Sequence, residues 1–167
     1  MTGHTTPTYV KRKWFRLAVR HLRIANRLLE TGFTDGTAFH VYHSYECILS
    51  ALIAAHGYPV PPQGWIKIKD TSGKTIRFYS SPNGRIQEGS AHKARIILFD
   101  QLADHTKPYF AAHNALSRFL GVAMRNDALY YDAVRNLLPQ QRYSRTFISG
   151  LLPRVRQFVG QVWDDIR

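Results

Sequence analysis

The feature that most constrains the fold is a long segment, residues 36–56, which is apolar on most faces of the helix that it predicts. Thr34 and Asp35 precede this segment as candidates for its N-terminal cap, and Gly57 follows it, as glycine often follows a helix end. A helix without a broad polar face must be surrounded by other elements. The sequence therefore predicts a central, buried helix with a bundle packed around it.

The rest of the chain provides helices that can surround this segment. Residues 10–31 predict an amphipathic helix that ends near Gly32, because their apolar residues recur at intervals of three and four. Four more helical segments are predicted further along, at residues 91–105 after Ser90 as a cap, 109–123, about 128–138, and 143–166. Pro153 lies within the last segment and predicts either a kink or the true start of that helix.

A change of period interrupts the helical pattern. β-forming residues alternate on both sides of a turn at residues 70–73, which predicts a hairpin within residues 65–79, followed by a loop over 80–89. The fold class is therefore all-α: residues 1–167 form a single domain, a bundle of four to five helices. It carries a β-hairpin insertion at about 63–80, within a longer hairpin and loop segment at 58–89.

The charge of the chain points to an anionic partner. The sequence has 23 Lys and Arg residues against 11 Asp and Glu, a formal net charge of +12. Residues 1–29 hold seven basic residues and no acid. Four of them, if helical, lie within about 60° of one another on the helix surface. These candidates for binding nucleic acid are Arg16, Arg20, Arg23 and Arg27. The alternative interpretation is a solvated helix face.

Several classes of protein and site are disfavoured. Cys47 is the only cysteine, so an internal disulfide and a cysteine-based zinc site are excluded. No apolar run reaches the roughly 18–20 residues of a membrane span, and the N-terminus lacks the apolar core of a secretory signal, so a cytoplasmic protein is expected. His40 and His43, with Glu46 one turn later, could approach one ion, but hydrogen bonding within the core is the simpler interpretation. No metal and no cofactor are expected.

The segment 124–132 concentrates groups that suit a phosphodiester. Arg125 is a fixed cation, Asn126 offers a donor and an acceptor, and Tyr130 offers a phenol. These three residues are the candidates for a catalytic site, placed near the start of a helix, and Arg125 is also a candidate for binding nucleic acid. The alternative is an ion pair of Arg125 with Asp132 or Glu46 that only fixes the packing of the helices.

The order of residues also resembles a known family. The pattern of Trp14, Ala18, Ala25, Leu28, Leu29 and Gly32, followed by Ala38, Phe39, Tyr45–Leu49, Ala51–Ile53 and Gly57, is similar to the first two helices of HEPN domains. His92 and the segment after it resemble the third helix of that family. Tyr143, Ser144, Phe158 and Val159 resemble its last helix. Arg125 and Asn126 stand where the Arg-polar-x4–6-His motif of the family belongs.

This resemblance implies a helical homodimer, in many cases from toxin–antitoxin or other defence systems. Active members are metal-independent ribonucleases whose paired motifs form a cleft between subunits. No histidine follows Arg125 in this chain, and Tyr130 stands in its place. A tyrosine titrates near pH 10 and a histidine near 6.5, so Tyr130 is a poor proton shuttle at neutral pH.

The sequence interpretation is therefore a HEPN-like homodimer that binds RNA or a nucleotide in a basic cleft, with weak or no ribonuclease activity. A first alternative is an active ribonuclease in which Tyr130 or His43 replaces the missing histidine. A second is a basic module that docks an acidic protein. The resemblance adds a nucleotidyltransferase or an antitoxin as a partner, and no membrane partner is expected. Tyr109, Phe110 and Phe119 are the residues predicted near the dimer face.

Overall fold

The computed structural model describes residues 8–87, 90–129 and 138–167. Within these ranges, five helices have ten or more residues, two are shorter, and three strands form a small sheet. The elements follow one another as α1 (Thr8–Glu30), α2 (Thr34–Ala55), β1 (Trp65–Lys69), β2 (Thr75–Ser81), β3 (Gly84–Gln87), α3 (Ala91–Leu102), α4 (Pro108–Ser117), α5 (Val122–Asp127), α6 (Pro139–Arg142) and α7 (Arg145–Ile166). The predicted helical bundle with a β insertion is confirmed.

The first two helices form an antiparallel pair. Gly32 takes a φ of +86° in the turn between them, a conformation that a residue with a side chain rarely adopts. Ala18 and Ala25 are fully buried, and their small side chains allow the backbones to approach closely. The hydroxyl of Ser44 on α2 donates a hydrogen bond of 2.9 Å to the carbonyl oxygen of Ala18. This bond satisfies a buried hydroxyl and fixes one helix against the other.

The second helix is the centre of the bundle, as predicted. It packs against α1, α3, α5 and α7, and most of its residues from Val41 to Ala54 are buried. Ile48 is fully buried, so its truncation to alanine should destabilise the protein by about 2–5 kcal/mol. The predicted cap differs, because Thr34 and Asp35 lie within the first turn of the helix and Phe33 holds the cap position.

The last helix closes the bundle against the first two. Its start is capped by the Ser144 hydroxyl, which accepts a hydrogen bond of 3.1 Å from the backbone N–H of Phe147. Pro153 lies inside this helix. The rings of Phe15 and Trp163 stack with their centroids 4.0 Å apart, which joins α1 to α7.

The insertion contains one strand more than predicted. Residues 84–87 form β3, which pairs with β2 where the sequence indicated only a loop. The strand forms because Ile86 lies opposite Tyr79 and both side chains are buried. They join Ile53 and Leu98 in a second cluster of buried apolar residues. The sheet is therefore packed against the ends of α2 and α3.

The helices that follow the sheet also differ in their bounds from the prediction. The Ser90 hydroxyl caps α3, as predicted, but this helix ends at Leu102. The segment predicted as one helix at 109–123 divides into α4 and α5, because Gly121 has extended backbone between them. The next predicted helix does not start at Ala128, which follows the last residue of α5, and the rest of that prediction lies outside the described residues. None of the helices in the described ranges is long and apolar enough to cross a membrane.

Candidate functional site

A row of arginines covers the exposed side of α1. Arg27 lies at the end of the row, and its Nη1 lies 3.2 Å from Oε2 of Glu30. Both side chains are exposed, so this ion pair adds little to stability and can exchange partners. The four predicted nucleic-acid-binding residues of this helix are all exposed, namely Arg16, Arg20, Arg23 and Arg27.

An arginine of α7 extends the row onto a second helix. Nη2 of Arg156 donates a hydrogen bond of 2.8 Å to Oδ1 of Asn26. Asn26 comes three residues after Arg23, one helical turn along α1, so Arg156 lies beside the row. These residues are called the arginine face below: Arg16, Arg20, Arg23, Arg27 and Arg156. An anionic polymer could contact two helices at once on this surface.

A groove continues this surface towards the start of α7. It has a volume of about 480 Å³ and lies between α1 and α7. Arg145 lines it from one side, and Asn26 and Glu30 line it from the other. The groove therefore adds another basic residue next to the arginine face.

A second polar site surrounds Glu46 on α2, a residue that is only 7% exposed. Nη1 of Arg95 donates a hydrogen bond of 2.8 Å to Oε1 of Glu46, and Nδ1 of His92 contacts the same oxygen. The Tyr42 hydroxyl lies 2.5 Å from Nδ1 of His92, and Nδ1 of His43 lies 3.5 Å from Oε2 of Glu46. This set of residues is called the Glu46 cluster below.

The surroundings keep the Glu46 carboxylate ionised. Burial acts to raise the pKa of Glu46, but the hydrogen bond from His92 and the charge of Arg95 outweigh it and lower that pKa below its ordinary value. Arg95 has a second acceptor, because its Nη2 donates a hydrogen bond of 2.6 Å to the carbonyl oxygen of Pro61. One guanidinium therefore connects α3 with both α2 and the start of the insertion.

Three histidines lie together beside this cluster. Nδ1 of His21 on α1 and Nδ1 of His40 on α2 are 2.8 Å apart, so one ring donates a hydrogen bond and the other accepts it. The rings of His21 and His43 stack with their centroids 5.4 Å apart. Burial lowers the pKa of both His21 and His40. The pKa of His43 is lowered to about 4, and burial is the largest cause. These imidazoles are therefore neutral at neutral pH.

The histidines of α2 were also the candidate metal ligands of the sequence. Within the described residues, no three histidine, cysteine, aspartate or glutamate side chains are placed to hold a metal ion. His40 faces His21, and Glu46 faces His92 and Arg95. His40 and Glu46 of this helix are thus hydrogen-bonded to side chains of α1 and α3.

Arg125 lies on α5, in its last turn and not at a helix start as the sequence predicted. Its side chain is half-buried, and its Nε is buried with no hydrogen-bond partner among the described residues. Its positive charge affects two groups of α2. Burial is the main cause that lowers the pKa of His43, and the Arg125 charge lowers that pKa further. Burial raises the pKa of Tyr42, and the Arg125 charge opposes that rise. Asn126 is exposed beside it. The structure thus brings Arg125 to the edge of the Glu46 cluster.

The ion pair of Arg125 with Glu46, an alternative from the sequence, is not formed in the structure. Arg95 and His92 hold the Glu46 carboxylate instead. Tyr130 and Asp132, the other predicted partners of Arg125, lie outside the described residues.

Sequence reasoning missed Arg95 as a partner of Glu46. The signal was weak: Arg95 follows His92 by three residues, which places both side chains on the same side of α3. Nothing in the sequence indicated that this side faces Glu46, because that depends on how α3 packs across α2.

A cavity of about 260 Å³ adjoins the Glu46 cluster between α2 and α3. Tyr45, Leu49 and Leu120 form part of its wall, and the described residues that line it also include Lys93, Glu46 and His92. These walls are apolar and suit an apolar group, while the arginine face suits an anion. The two surfaces therefore differ in the ligand chemistry that they can accept.

Comparisons with known proteins identify part of the chain. The family model of the HEPN domain matches residues 11–64, which span most of α1, all of α2 and the segment up to the sheet. The resemblance inferred from the sequence is confirmed over this range. The chain matches no curated protein and no solved structure.

Proposed function

We propose, from the match of residues 11–64 to the HEPN domain, that this chain binds RNA or a nucleotide and uses the arginine face as its anion-binding surface. The observation that carries the proposal is the row of exposed arginines on α1 that Arg156 continues onto α7. An arginine contacts a phosphate through two parallel hydrogen bonds, so such a row can follow a phosphate backbone. The HEPN match supports this class of ligand.

The proposal includes weak or no ribonuclease activity. A general base works best with a pKa near the working pH, and burial lowers the pKa of His43 to about 4. At neutral pH this imidazole is a weak base beside the Arg125 cation. The arrangement therefore favours binding over proton transfer.

Salt dependence of RNA affinity tests the arginine face. The logarithm of affinity for single-stranded RNA should fall linearly with the logarithm of salt concentration, by about 0.7 for each phosphate neutralised. The double variant Arg16→Gln/Arg20→Gln should bind more weakly and reduce the slope by about 1.4. Fluorescence anisotropy of a labelled RNA at several salt concentrations measures both quantities.

The matched control removes two exposed arginines elsewhere. Arg118→Gln/Arg154→Gln lowers the net charge by the same amount, but both residues lie away from the arginine face, at the end of α4 and beside the α4–α7 groove. This control should keep the slope. If both double variants change the slope equally, the net charge and not the arginine face carries the binding.

The proposal also includes a homodimer whose subunits form a basic cleft. Light scattering should then give about twice the chain mass of 19.2 kDa. Phe119 is 50% exposed and can contribute to the contact between subunits, whereas Tyr109, which the sequence suggested for that contact, is buried within one chain. A monomer at all concentrations would remove the cleft from the proposal.

A metal-independent ribonuclease is the second candidate, because the charge of Arg125 acts on His43. In that case the protein cleaves RNA in the presence of EDTA, and both Arg125→Ala and His43→Gln abolish cleavage. If the chain is instead a binder that has lost only the histidine of the family motif, Tyr130→His should introduce weak cleavage.

A role in a toxin–antitoxin or defence system, with an antitoxin or a nucleotidyltransferase as partner, belongs to the same proposal.

A further inference from the structure

The two faces of the inserted sheet differ in what covers them. The register places Trp65 opposite Tyr79 and Tyr79 opposite Ile86. Tyr79 is fully buried, and both it and Ile86 pack against the ends of α2 and α3. This face is therefore part of the core. Successive residues of a strand point to opposite faces, so the alternate residues form the outer face.

The outer face is apolar where a solvated sheet face is normally polar. The register places Ile66 opposite Phe78 and Ile68 opposite Ile76. Ile66 is 47% and Ile68 40% exposed, and Ile76 and Phe78 are half-buried. These four residues are called the apolar sheet face below. Their two cross-strand pairs stand roughly 7 Å apart along the strands, which suits alternate side chains of an extended segment.

The strands and the turn that carry this apolar patch are rich in basic residues. Residues 65–87 hold five basic residues and one acid, Asp70. Oδ1 of Asp70 already accepts hydrogen bonds from the backbone N–H groups of Ser72 and Lys74, so this carboxylate serves the turn. The basic residues are Lys67, Lys69, Lys74, Arg77 and Arg85. The patch thus combines apolar side chains with a positive surrounding field.

We propose that the apolar sheet face binds a segment of a partner protein in which apolar and acidic residues alternate. The segment would add as a strand along β1, which is the edge strand of the sheet. Its apolar side chains would then extend the apolar sheet face beside Ile66 and Ile68, and its carboxylates would lie beside Lys67 and Lys69 on the opposite face. This surface is separate from the arginine face and does not depend on RNA binding.

Two other occupants fit the patch less well. A second copy of the chain would bring one basic surround against another, which like charges disfavour. Single-stranded RNA stacks its bases on aromatic side chains, and the patch offers three isoleucines and one phenylalanine. An acidic apolar segment matches both the apolar side chains and the charge of the surface.

A peptide of four alternating glutamate–valine repeats, labelled with fluorescein, tests the proposal on the full chain. It should bind with an affinity that falls as salt increases, and the same peptide with lysine in place of glutamate should not bind. Ile66→Thr/Ile68→Thr should weaken binding by about tenfold or more, because it removes apolar contact area while threonine retains the preference for strands. Lys67→Gln/Lys69→Gln should weaken binding and flatten its salt dependence.

The arginine-face variant Arg16→Gln/Arg20→Gln is the control. It should lose RNA affinity and keep peptide affinity within about twofold, because Arg16 and Arg20 lie on α1 and belong to neither strand of the apolar sheet face. Hydrogen exchange of the wild-type chain provides a readout that needs no variant: the peptide should slow exchange at amides of residues 65–81. Failure of RNA binding alone would contradict the proposed function and leave this inference standing.

Other outcomes would overturn the inference. They include no binding of the acidic peptide, equal binding of the acidic and basic peptides, or protection confined to residues outside the sheet. Loss of RNA affinity in Ile66→Thr/Ile68→Thr would assign the patch to RNA instead. Loss of self-association in the same variant would assign it to a second copy of the chain.

Discussion

Arg95 on α3 donates a hydrogen bond of 2.8 Å to the carboxylate of Glu46 on α2, although 49 residues separate the two in sequence. The Arg95 side chain is 12% exposed and that of Glu46 10% exposed, so both charges are largely removed from water. Charges in such a place are compensated by each other and by hydrogen bonds. This pair therefore fixes how the third helix lies across the second.

Removal of Glu46 should destabilise the protein strongly. Glu46→Leu leaves the Arg95 guanidinium without its carboxylate in a largely buried site, which should lower the free energy of unfolding by about 3–5 kcal/mol. The matched control Glu30→Leu breaks the exposed pair with Arg27 and should have a much smaller effect. Urea unfolding followed by circular dichroism measures both. Equal effects of the two changes would show that the Glu46 cluster adds no special stability.

Stability should fall on acidification below about pH 6.5. Burial lowers the pKa of His21, His40 and His43, so the unfolded chain binds protons at these residues more readily than the folded chain. The folded state is then favoured above the unfolded pKa and loses that advantage as the pH falls towards 4. Each histidine contributes at most about 1.4 kcal/mol per pH unit, less where solvent screens it.

The variant His43→Gln separates this effect from general acid denaturation. It should reduce the loss of stability between pH 6.5 and about 4, the window set by the lowered pKa of His43. The urea midpoint at several pH values gives the comparison. Glu46, whose pKa is also lowered, loses its contribution only below its ordinary value of 4.5 and should affect the lower end of the range.

Cys47 should be unreactive in the folded protein. It is 6% exposed, and burial, followed by the neighbouring Glu46 charge, raises the pKa of its thiol to about 12. Almost no thiolate is then present at pH 8, and the thiolate is the reactive form. A thiol reagent such as dithionitrobenzoate should label the chain in urea and label it very slowly without urea. Rapid labelling of the native chain would show that α2 opens at this point.

Two glycines of the insertion provide a matched pair for backbone strain. Gly64 and Gly73 have φ values of +82° and +80°, so alanine is strained at both, by about 1–2 kcal/mol. A Cβ at Gly64 would also lie 2.7 Å from Cγ of Pro59, whereas Gly73 has open space around it. Gly64→Ala should therefore lower the melting temperature more than Gly73→Ala. Equal shifts would mean that the chain around Pro59 moves aside without loss.

The main helices could be predicted because their apolar residues follow the helical repeat without interruption. The near absence of a polar face on α2 predicted its central position, and Ser90 marked the start of α3. The last helix starts at Arg145, two residues after the predicted start at Tyr143. The third strand could not be predicted, since Ile86 alone carries its burial and its pairing depends on Tyr79 across the sheet.

The candidate site was predicted only in part, because its contacts join distant segments. The arginine row of α1 could be predicted from the helical repeat alone, because all residues of the arginine face except Arg156 lie on one helix. The effect of the Arg125 charge on His43 requires α5 to pack on α2 over some 80 residues of chain, a separation at which local patterns carry no information. The pairing of Arg95 with Glu46 could not be predicted for the same reason, because it depends on the angle between α3 and α2.

The bond from Arg95 to the Pro61 carbonyl also decides whether the insertion could be transplanted. The sheet enters the bundle beside a guanidinium that already holds Glu46, and it rests on Ile53 and Leu98 of the neighbouring helices. A graft of residues 58–87 onto another helical scaffold would therefore lack the contacts that stabilise the sheet. Such a scaffold would have to provide an arginine and apolar side chains at the positions of Arg95, Ile53 and Leu98 before the sheet could fold there.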